Sequence, residues 1–307
     1  MAEAYIVDAV RTPVGRRGGG LSAVHPADLG AHSLKALMER TGVDPGAVED
    51  VIFGCVDTIG GQAGDIARTC WLAAGLPDHV PGTTIDRQCG SSQQAVHFAA
   101  QGVMSGTSDL IVAGGVQQMS TIPISSSMLV GDQFGYPDPF SGSLGWQERY
   151  GDQEVSQFRS AQMIADKWDC SRDEMESFAV ESHERAIRAR AEGRFDAEIA
   201  PFGEVMADEG PREPNWDKIR SLRPLEEGGT ITAAVASQIS DASAALLIAS
   251  EQAVEDHGLT PRARIHHLSV RADDPVWMLT APIPATRYAL QKSGLTMDDI
   301  DLVEINE

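Results

Sequence analysis

The chain has 307 residues, of which 42% are hydrophobic, 6% aromatic and 22% charged, with 30 Gly and 16 Pro, so a disordered or low-complexity protein is excluded. Four cysteines without a C-x-x-C pair exclude a disulfide scaffold. The formal net charge of −21 argues against nucleic acid or an anionic membrane as a partner.

Strand and helix patterns alternate in the first third of the chain. Short apolar runs predict strands at 4–10, 51–56, 83–86 and 110–113, and apolar stripes predict helices at 27–40 and 66–74. Residues 91–105 are small or apolar nearly all round, which predicts a helix buried on every side. This alternation predicts an α/β fold with a largely parallel sheet covered on both faces.

The middle of the chain changes character. Residues 121–150 have no sustained periodicity and are rich in Pro, Gly and Ser, which is typical of an elaborated loop region that lines a site. Two charged helices are predicted next, at 158–168 and 171–192, and Ser171 and Glu174 have the spacing of a capping box. A basic loop at 208–229 leads through small residues to a buried strand at 244–249 and a helix up to His257.

The C-terminal stretch repeats a pattern from the amino-terminal part. GVDPGAVEDVIF at 42–53 and GLTMDDIDLVEI at 294–305 both place a helix-ending Gly, a short acidic turn and an aliphatic strand in that order. Residues 265–270, followed by Arg271, likewise match the first strand and Arg11. The matches predict an internal duplication whose second copy begins near Ala263. A buried strand needs neighbours on both edges, so we expect the second copy to be incomplete at Glu307.

Cys89 is the strongest candidate for chemistry. It lies in the segment DRQCGSS (86–92), between a predicted strand and the start of a predicted helix. Backbone N–H groups and the positive end of the helix dipole favour a nucleophilic thiolate at such a position. Gly90 allows the close backbone approach that an oxyanion hole requires. From its position alone, Cys89 could equally be a buried, unreactive cysteine.

Eight segments along the chain carry the pattern of one known family. They are VRTPVG (10–15), FGCV (53–56), DRQCGSS (86–92), AGGVQQMS (113–120), SRDEMESFAVES (171–182), EGRFDAEIAPF (192–202), GTITAAVASQISDASAALLIAS (229–250) and EINE (304–307). In content and order they resemble the thiolases, the acyl-CoA:acetyl-CoA C-acyltransferases. The resemblance covers the whole chain and implies an acyltransferase of the EC 2.3.1 class in which Cys89 takes up the acyl group.

The resemblance also implies an architecture. Thiolases consist of duplicated α/β units in α-β-α-β-α layers, with a loop domain inserted in the first unit that binds coenzyme A. On this chain the first unit would comprise residues 1–120 and 225–262, the inserted domain 121–224, and an incomplete second unit 263–307. A homodimer or homotetramer is implied as well.

Further site residues follow from the resemblance. Arg212 matches an arginine beside the nucleotide of coenzyme A, Lys218 lies near it in sequence, and Ser237 matches a contact of the pantetheine arm. Coenzyme A is a polyanion at its nucleotide end, so an acidic protein needs such local positive charge to bind it. Without the resemblance, the basic residues could form a solvated face and Ser237 could serve packing. Asn306 matches the residue that holds a water molecule in an oxyanion hole.

Coenzyme A would be a substrate or product, and no other cofactor is expected. The sequence has no G-x-G-x-x-G or H-E-x-x-H pattern, so nicotinamide, flavin and metal are not predicted. The amino terminus MAEAYIVD is acidic where a targeting peptide is basic, and no apolar run approaches the ~20 residues of a membrane span. These observations predict a cytoplasmic protein.

Two departures from the family pattern bear on function. Ser156-Gln157-Phe158 replaces the usual His-Met-Gly at the entrance of the acyl pocket, which predicts a pocket reshaped for something other than a short acetoacetyl chain. A similar Gln-Phe occurs in thiolases that look suited to bulky substrates such as steroid side chains, while the sequence leaves the choice between a steroid and a fatty acyl substrate open. The family's Gly-His-Pro and Cys-x-Gly-Gly segments, with the activating His and the acid/base Cys, would come after Glu307. We therefore expect the 307-residue chain alone to catalyse acyl transfer ~10²–10⁴-fold more slowly than a complete enzyme.

Two alternatives to a catalytically competent thiolase remain open at this point. One is a thiolase-like protein that binds acyl-CoA or a partner without catalysis. The other is a half-site chain completed by a separate polypeptide. Acylation of Cys89 by a thioester distinguishes the first alternative from an enzyme.

Overall fold

The computed structural model describes residues 2–306, which divide into two compact units. The sheet unit consists of the chain up to Pro139, Arg194–Gly210 and Ile239–Ile265. The helical unit consists of Phe140–Gly193, Pro211–Gln238 and the chain from His266 on. Each unit is built from three separate stretches of sequence.

The described part of the sheet unit contains a mixed sheet of seven strands. They are β1 (Ala4–Arg11), β2 (Gly15–Arg16), β3 (Asp50–Gly54), β4 (Gly82–Ile85), β5 (Leu110–Gln118), β6 (Ser240–Ser250) and β7 (Ala263–Arg264). The spatial order is β4-β3-β5-β6-β1-β7, and β2 pairs with β6.

The directions of these strands confirm an α/β fold but correct one prediction. Strand β3 is parallel to β4 and β5, whereas β6 is antiparallel to β5, β1 and β2, and β7 is antiparallel to β1. Strands β1 to β5 thus share one direction and only β6 and β7 run against them, so the sheet is mixed and less uniformly parallel than predicted. The reason is that β6 enters between β5 and β1 in the opposite direction, a pairing that apolar runs alone do not reveal.

Helices pack on both faces of this sheet. The sheet unit contains α1 (Pro26–Thr41), α2 (Ile66–Ala73), α3 (Ser91–Met104), α4 (Ser126–Leu129) and α9 (Glu251–Asp256). Helices α1 and α2 cover the face that carries Phe53, where Gly30 of α1 lies against Cys70 and Phe53. Helix α3 covers the opposite face, where its Gly102 lies against Ile111. Adjacent strand residues point to opposite faces, so each strand contributes to both layers.

The helical unit contains the remaining helices. They are α5 (Leu144–Tyr150), α6 (Gln157–Lys167), α7 (Arg172–Ala191), α8 (Trp216–Arg220) and α10 (Pro282–Ser293). The predicted capping box is present at the start of α7, where the Ser171 hydroxyl and Glu174 exchange hydrogen bonds with each other's backbone N–H. Two short helices, α4 and α5, lie in the stretch 121–150 that the sequence predicted to be loop.

Three predictions about elements are wrong. Helix α3 is not buried on every side, because the sheet covers one face and Phe98 on another is 41% exposed. Residues 266–270 form no strand, since pairing with β1 ends after Ile265. Residues 301–306 also form no strand, and Leu302 is 91% exposed. Aliphatic sequence yields a strand only where another strand supplies backbone hydrogen bonds.

Candidate active site

Cys89 lies in a tight turn between β4 and α3 in the sheet unit. Gly90 N donates to Arg87 O at 3.1 Å, Ser91 N donates to Gln88 O at 3.0 Å, and Asp86 Oδ1 accepts from Gln88 N at 2.7 Å. Gln88 has a φ of 48°, a left-handed conformation that residues with side chains rarely adopt. Local strain of this kind is concentrated at functional sites. The turn leaves Cys89 exposed.

The hydroxyl of Ser91 fastens this turn from inside. It accepts a hydrogen bond from Arg87 N at 2.8 Å and donates one to Gln88 O at 2.5 Å. The Ser91 residue is 4% exposed, so its hydroxyl is largely shielded from solvent, whereas its two backbone partners are exposed residues. One buried hydroxyl thus fixes the backbone on the amino-terminal side of Cys89.

Two glycines let the start of α3 approach the sheet. A Cβ atom at Gly54 in β3 would lie 2.3 Å from the backbone nitrogen of Ser92. A Cβ atom at Gly115 in β5 would lie 2.1 Å from Ser92 Oγ and 2.6 Å from Gly54 O. Any larger residue would push the start of α3 outward. No local sequence pattern assigns this role to either glycine, although a glycine within an apolar strand often marks close backbone approach.

The other three cysteines occupy different surroundings. Cys55 follows β3 and Cys70 lies in α2, and burial raises the pKa of each thiol to about 12, so both are protonated at neutral pH. Cys170 is exposed and precedes the N-cap of α7. None of the four is in a disulfide.

The helices that begin after Cys89 and after Cys170 differ in the capping of their first turns. Helix α7 has a side-chain cap from Ser171 and two acidic residues in its first turn. Helix α3 has no side-chain cap at Gly90 and no acidic residue in its first turn. The first turn of α3 therefore has neither a side-chain cap nor an acidic residue of its own, in contrast to that of α7.

The other predicted site residues lie in the helical unit. Arg212, Lys218 and Ser237 all belong to the segment Pro211–Gln238, and each is exposed. Lys218 is in α8, whereas Arg212 and Ser237 lie outside helices and strands. Asn306 is exposed in the last described stretch, and Glu307 lies outside the described residues. The three coenzyme A candidates thus belong to one unit, the helical unit, and Cys89 belongs to the sheet unit.

Comparisons with known proteins settle the family. The thiolase N-terminal domain family matches residues 4–252, and the thiolase C-terminal domain family matches residues 259–307. The chain belongs to the thiolase family. It is an acyltransferase of the EC 2.3.1 class that transfers acyl groups between coenzyme A thioesters, and the non-catalytic and half-site alternatives are not favoured.

Individual relatives agree with this assignment. A steroid 3-ketoacyl-CoA thiolase of Mycobacterium tuberculosis is 63% identical over all of this thiolase and 76% of its own length. A beta-ketoadipyl-CoA thiolase of Pseudomonas aeruginosa is 39% identical over 99% of this chain and 80% of its own. The crystal structure of the Bacillus anthracis acetyl-CoA acetyltransferase superimposes with a TM-score of 0.83 and 33% identity, covering 98% of this chain and 79% of that one.

Two properties of the described residues complete the site description. No helix within residues 2–306 combines the length and apolar character needed to cross a bilayer. Over the same residues, no group of three or more His, Cys, Asp or Glu side chains is arranged to hold a metal ion.

Proposed function

We propose that this thiolase cleaves 3-ketoacyl-CoA thioesters with bulky acyl groups, such as those derived from steroids, and that Cys89 is its nucleophile. The observation that carries the substrate class is the 63% identity, over the whole chain, to a protein named as a steroid 3-ketoacyl-CoA thiolase. The relatives named for beta-ketoadipyl-CoA are 37% to 39% identical.

The position of Phe158 in the structure also supports the proposal of a bulky acyl group. It lies in the first turn of α6, directly after Ser156 and Gln157, and is 49% exposed. A half-exposed phenyl ring offers an apolar surface that a large acyl group can cover on binding. A short acetoacetyl chain gains much less from such a surface, because the gain scales with buried apolar area.

The proposed reaction has two acyl-transfer steps. The Cys89 thiolate attacks the C3 carbonyl carbon of the substrate, the C2–C3 bond breaks, and the electron pair left on C2 takes a proton to give acetyl-CoA. The thiol of a second coenzyme A, having lost its proton, then attacks the acyl-Cys89 carbonyl and releases the Cys89 thiolate. Atoms balance as 3-ketoacyl-CoA plus CoA giving acetyl-CoA plus the shortened acyl-CoA.

Coenzyme A contacts are proposed for the segment Pro211–Gln238. Arg212 and Lys218 supply positive charge for its phosphates, and Ser237 supplies a hydroxyl for the pantetheine arm. All three residues are exposed on one segment of a protein whose net charge is −21, which makes local cations necessary for a polyanionic ligand. Asn306 is proposed to hold a water molecule for one oxyanion.

A substrate panel tests the acyl specificity. The kcat/KM for a steroid-derived 3-ketoacyl-CoA should exceed those for acetoacetyl-CoA and 3-oxoadipyl-CoA. Phe158→Ala should lower the preference for the bulky substrate over acetoacetyl-CoA by about tenfold. Phe178→Ala is the matched control, because Phe178 is a similarly exposed phenylalanine on α7 at 56%. Equal kcat/KM across the panel would reject the bulky-substrate proposal.

Mass spectrometry tests the nucleophile. After the protein is mixed with the 3-ketoacyl-CoA and quenched in acid, the peptide that contains Cys89 should gain the mass of the shortened acyl group. Cys89→Ala should abolish this adduct, and Cys170→Ala should retain it. An adduct on Cys170 alone would remove the assignment of Cys89.

Assembly and location remain predictions. The resemblance implies a homodimer or homotetramer, which light scattering of the purified protein would measure. The sequence predicts a cytoplasmic enzyme with coenzyme A as substrate and product and no other cofactor, which cell fractionation and mass analysis of the native protein would check.

A further inference from the structure

Arg172 is the residue that holds the loop after α8 in place. It is the first residue of α7, and its guanidinium reaches the carboxyl end of α8 within the helical unit. Arg172 Nη2 lies 3.3 Å from Ile219 O, 3.2 Å from Arg220 O and 3.0 Å from Leu222 O. One charged group therefore serves three backbone carbonyls at the end of a helix.

The other side of the same guanidinium is fixed by a buried acid. Arg172 Nε donates to Glu176 Oε1 at 2.7 Å, one helical turn along α7. The Glu176 side chain is only 2% exposed and that of Arg172 30%. A buried carboxylate with this geometry sets the direction of the guanidinium, since a partner at the correct distance is needed to offset the loss of hydration. The Glu176 carboxylate thus orients the same guanidinium that contacts the end of α8.

Helix α8 depends on contacts of this kind. It has five residues, Trp216–Arg220, which is far below the length at which a helix persists alone in water. Asn215 Oδ1 caps its start by accepting from Lys218 N at 2.9 Å. Arg172 serves its end, where the last backbone carbonyls and the negative end of the dipole favour a cation. The helix is held from both ends by side chains.

The segment so held contains the proposed coenzyme A contacts. Lys218 is in α8, and Arg212 precedes it by a few residues. A second anchor lies further along, where Gln162 Oε1 of α6 accepts from Thr230 N at 2.7 Å. That anchor is nearer in sequence to Ser237. The two helices therefore hold two different parts of the segment Pro211–Gln238.

We propose that Arg172 is a positioning residue for the nucleotide end of coenzyme A, acting through α8 and Lys218 without touching the ligand. The proposal rests on the proposed function, because it needs coenzyme A to bind at Arg212 and Lys218. Arg172 shapes the loop in advance, so the ligand does not have to order it on binding. Loss of Arg172 should weaken the binding of the nucleotide part and leave the pantetheine part unaffected.

Calorimetric titration with coenzyme A and with pantetheine, which lacks the nucleotide, tests this. Arg172→Gln combined with Glu176→Gln removes both charges without leaving a buried carboxylate unpaired, and should raise the Kd for coenzyme A about tenfold. The Kd for pantetheine should not change. Circular dichroism and a thermal melt of the double variant report that the fold is retained.

Three further variants separate positioning from other roles. Arg185→Gln is the matched control, because Arg185 lies on the same helix with an exposed side chain paired to Glu181, and its Kd values should equal those of the parent. Glu176→Gln alone keeps the carbonyl contacts and should weaken coenzyme A less than the double variant. Arg172→Lys keeps the charge but not the fork of donors, so it should restore only part of the affinity.

The outcomes are distinct. If the parent protein does not bind coenzyme A, the proposed site itself falls, and the positioning role with it. If the parent binds and the double variant binds equally well, only the positioning role is overturned. Full affinity in Arg172→Lys would show that positive charge at position 172 suffices without the guanidinium geometry and would also overturn the proposal, as would an equal loss for pantetheine.

Discussion

The backbone of Gly54 in β3 lies so close to the start of α3 that a Cβ atom on it would be 2.3 Å from Ser92 N. Ser92 comes three residues after Cys89 in the sequence. The absence of a side chain at position 54 is therefore a condition for the position of the cysteine turn. The absence of a side chain at Gly115, in the neighbouring strand β5, is a second condition for that position.

Gly54→Ala should displace the start of α3 and with it Cys89. Because a displacement of about 1 Å at a reacting group can cost about 100-fold in rate, we expect acylation of Cys89 by a 3-ketoacyl-CoA to slow by about that factor. The measurement is the rate of adduct formation by mass spectrometry, with circular dichroism to confirm the fold.

Gly145→Ala is the matched control for this substitution. Gly145 lies within α5, and a Cβ atom there would meet no atom within 4 Å. Its acylation rate should equal that of the parent. A Gly54→Ala protein that is folded and acylated at the parent rate would contradict the close-approach argument.

Part of this site could be predicted from sequence, and part could not. The segment 86–92 placed Cys89 between a strand and a helix, because apolar runs and a glycine punctuate the chain there, and the structure has β4 and α3 on either side. The roles of Gly54 and Gly115 depend on which strands become neighbours. Sheet order arises from tertiary packing and is not encoded in local periodicity, which is also why the apolar pattern does not reveal the direction of β6.

The segment Pro211–Gln238 also has features that the sequence predicts and features that it does not. Its basic residues were visible in the sequence, but the anchoring of α8 by Arg172 was not, because the bonds run to backbone carbonyls 47 to 50 positions away. Backbone acceptors are present in every residue and leave no signature in sequence. The capping box at Ser171 and Glu174 could be predicted because both partners lie within one turn.

Ser91→Ala should loosen the cysteine turn without moving α3. The substitution removes the hydroxyl that bridges Arg87 N and Gln88 O, and loss of these part-buried bonds should lower the free energy of unfolding by about 1 kcal/mol. Urea unfolding followed by circular dichroism measures this. Acylation of Cys89 should slow, because Gln88 is no longer held in its left-handed conformation.

Ser105→Ala tests whether the effect is specific to the turn. Ser105 follows the other end of α3, where its exposed hydroxyl donates to Gly102 O. Its removal should leave the acylation rate unchanged. Equal acylation rates in both variants would show that the Ser91 hydroxyl does not order Cys89.

Asp208→Asn should destabilise the sheet unit. Asp208 accepts two hydrogen bonds from the guanidinium of Arg11, at 2.7 Å and 2.9 Å, and one from Val14 N at 2.8 Å. Its side chain is 12% exposed and that of Arg11 22%, so the pair is poorly hydrated. Removing one charge should lower the free energy of unfolding by about 2 kcal/mol.

The exposed pair Arg185–Glu181 provides the control for the stability loss expected in Asp208→Asn. Its side chains are 63% and 54% exposed, and surface pairs contribute little to stability. Glu181→Gln should therefore leave the urea midpoint unchanged. An unchanged midpoint in Asp208→Asn as well would mean that the Arg11–Asp208 contact does not stabilise the fold.

The buried thiols of Cys55 and Cys70 should make the fold sensitive to alkali. Burial raises the pKa of each from 9.0 to about 12, so between these values the unfolded chain has lost protons that the folded chain retains. The free energy of unfolding must then fall as pH rises through that window, and the contribution is fully present below 9.0. Urea midpoints at pH values on both sides of 9.0 measure the slope.

Cys70→Ala should flatten this slope, because one of the two titrating groups is gone. The cavity it leaves lowers stability at every pH, so the slopes are compared and not the midpoints themselves. Cys170→Ala is the control, since Cys170 is exposed in the folded chain and its removal should leave the slope unchanged. If Cys70→Ala keeps the parent slope, the Cys70 thiol titrates alike in the folded and unfolded chains, and burial does not protect its proton.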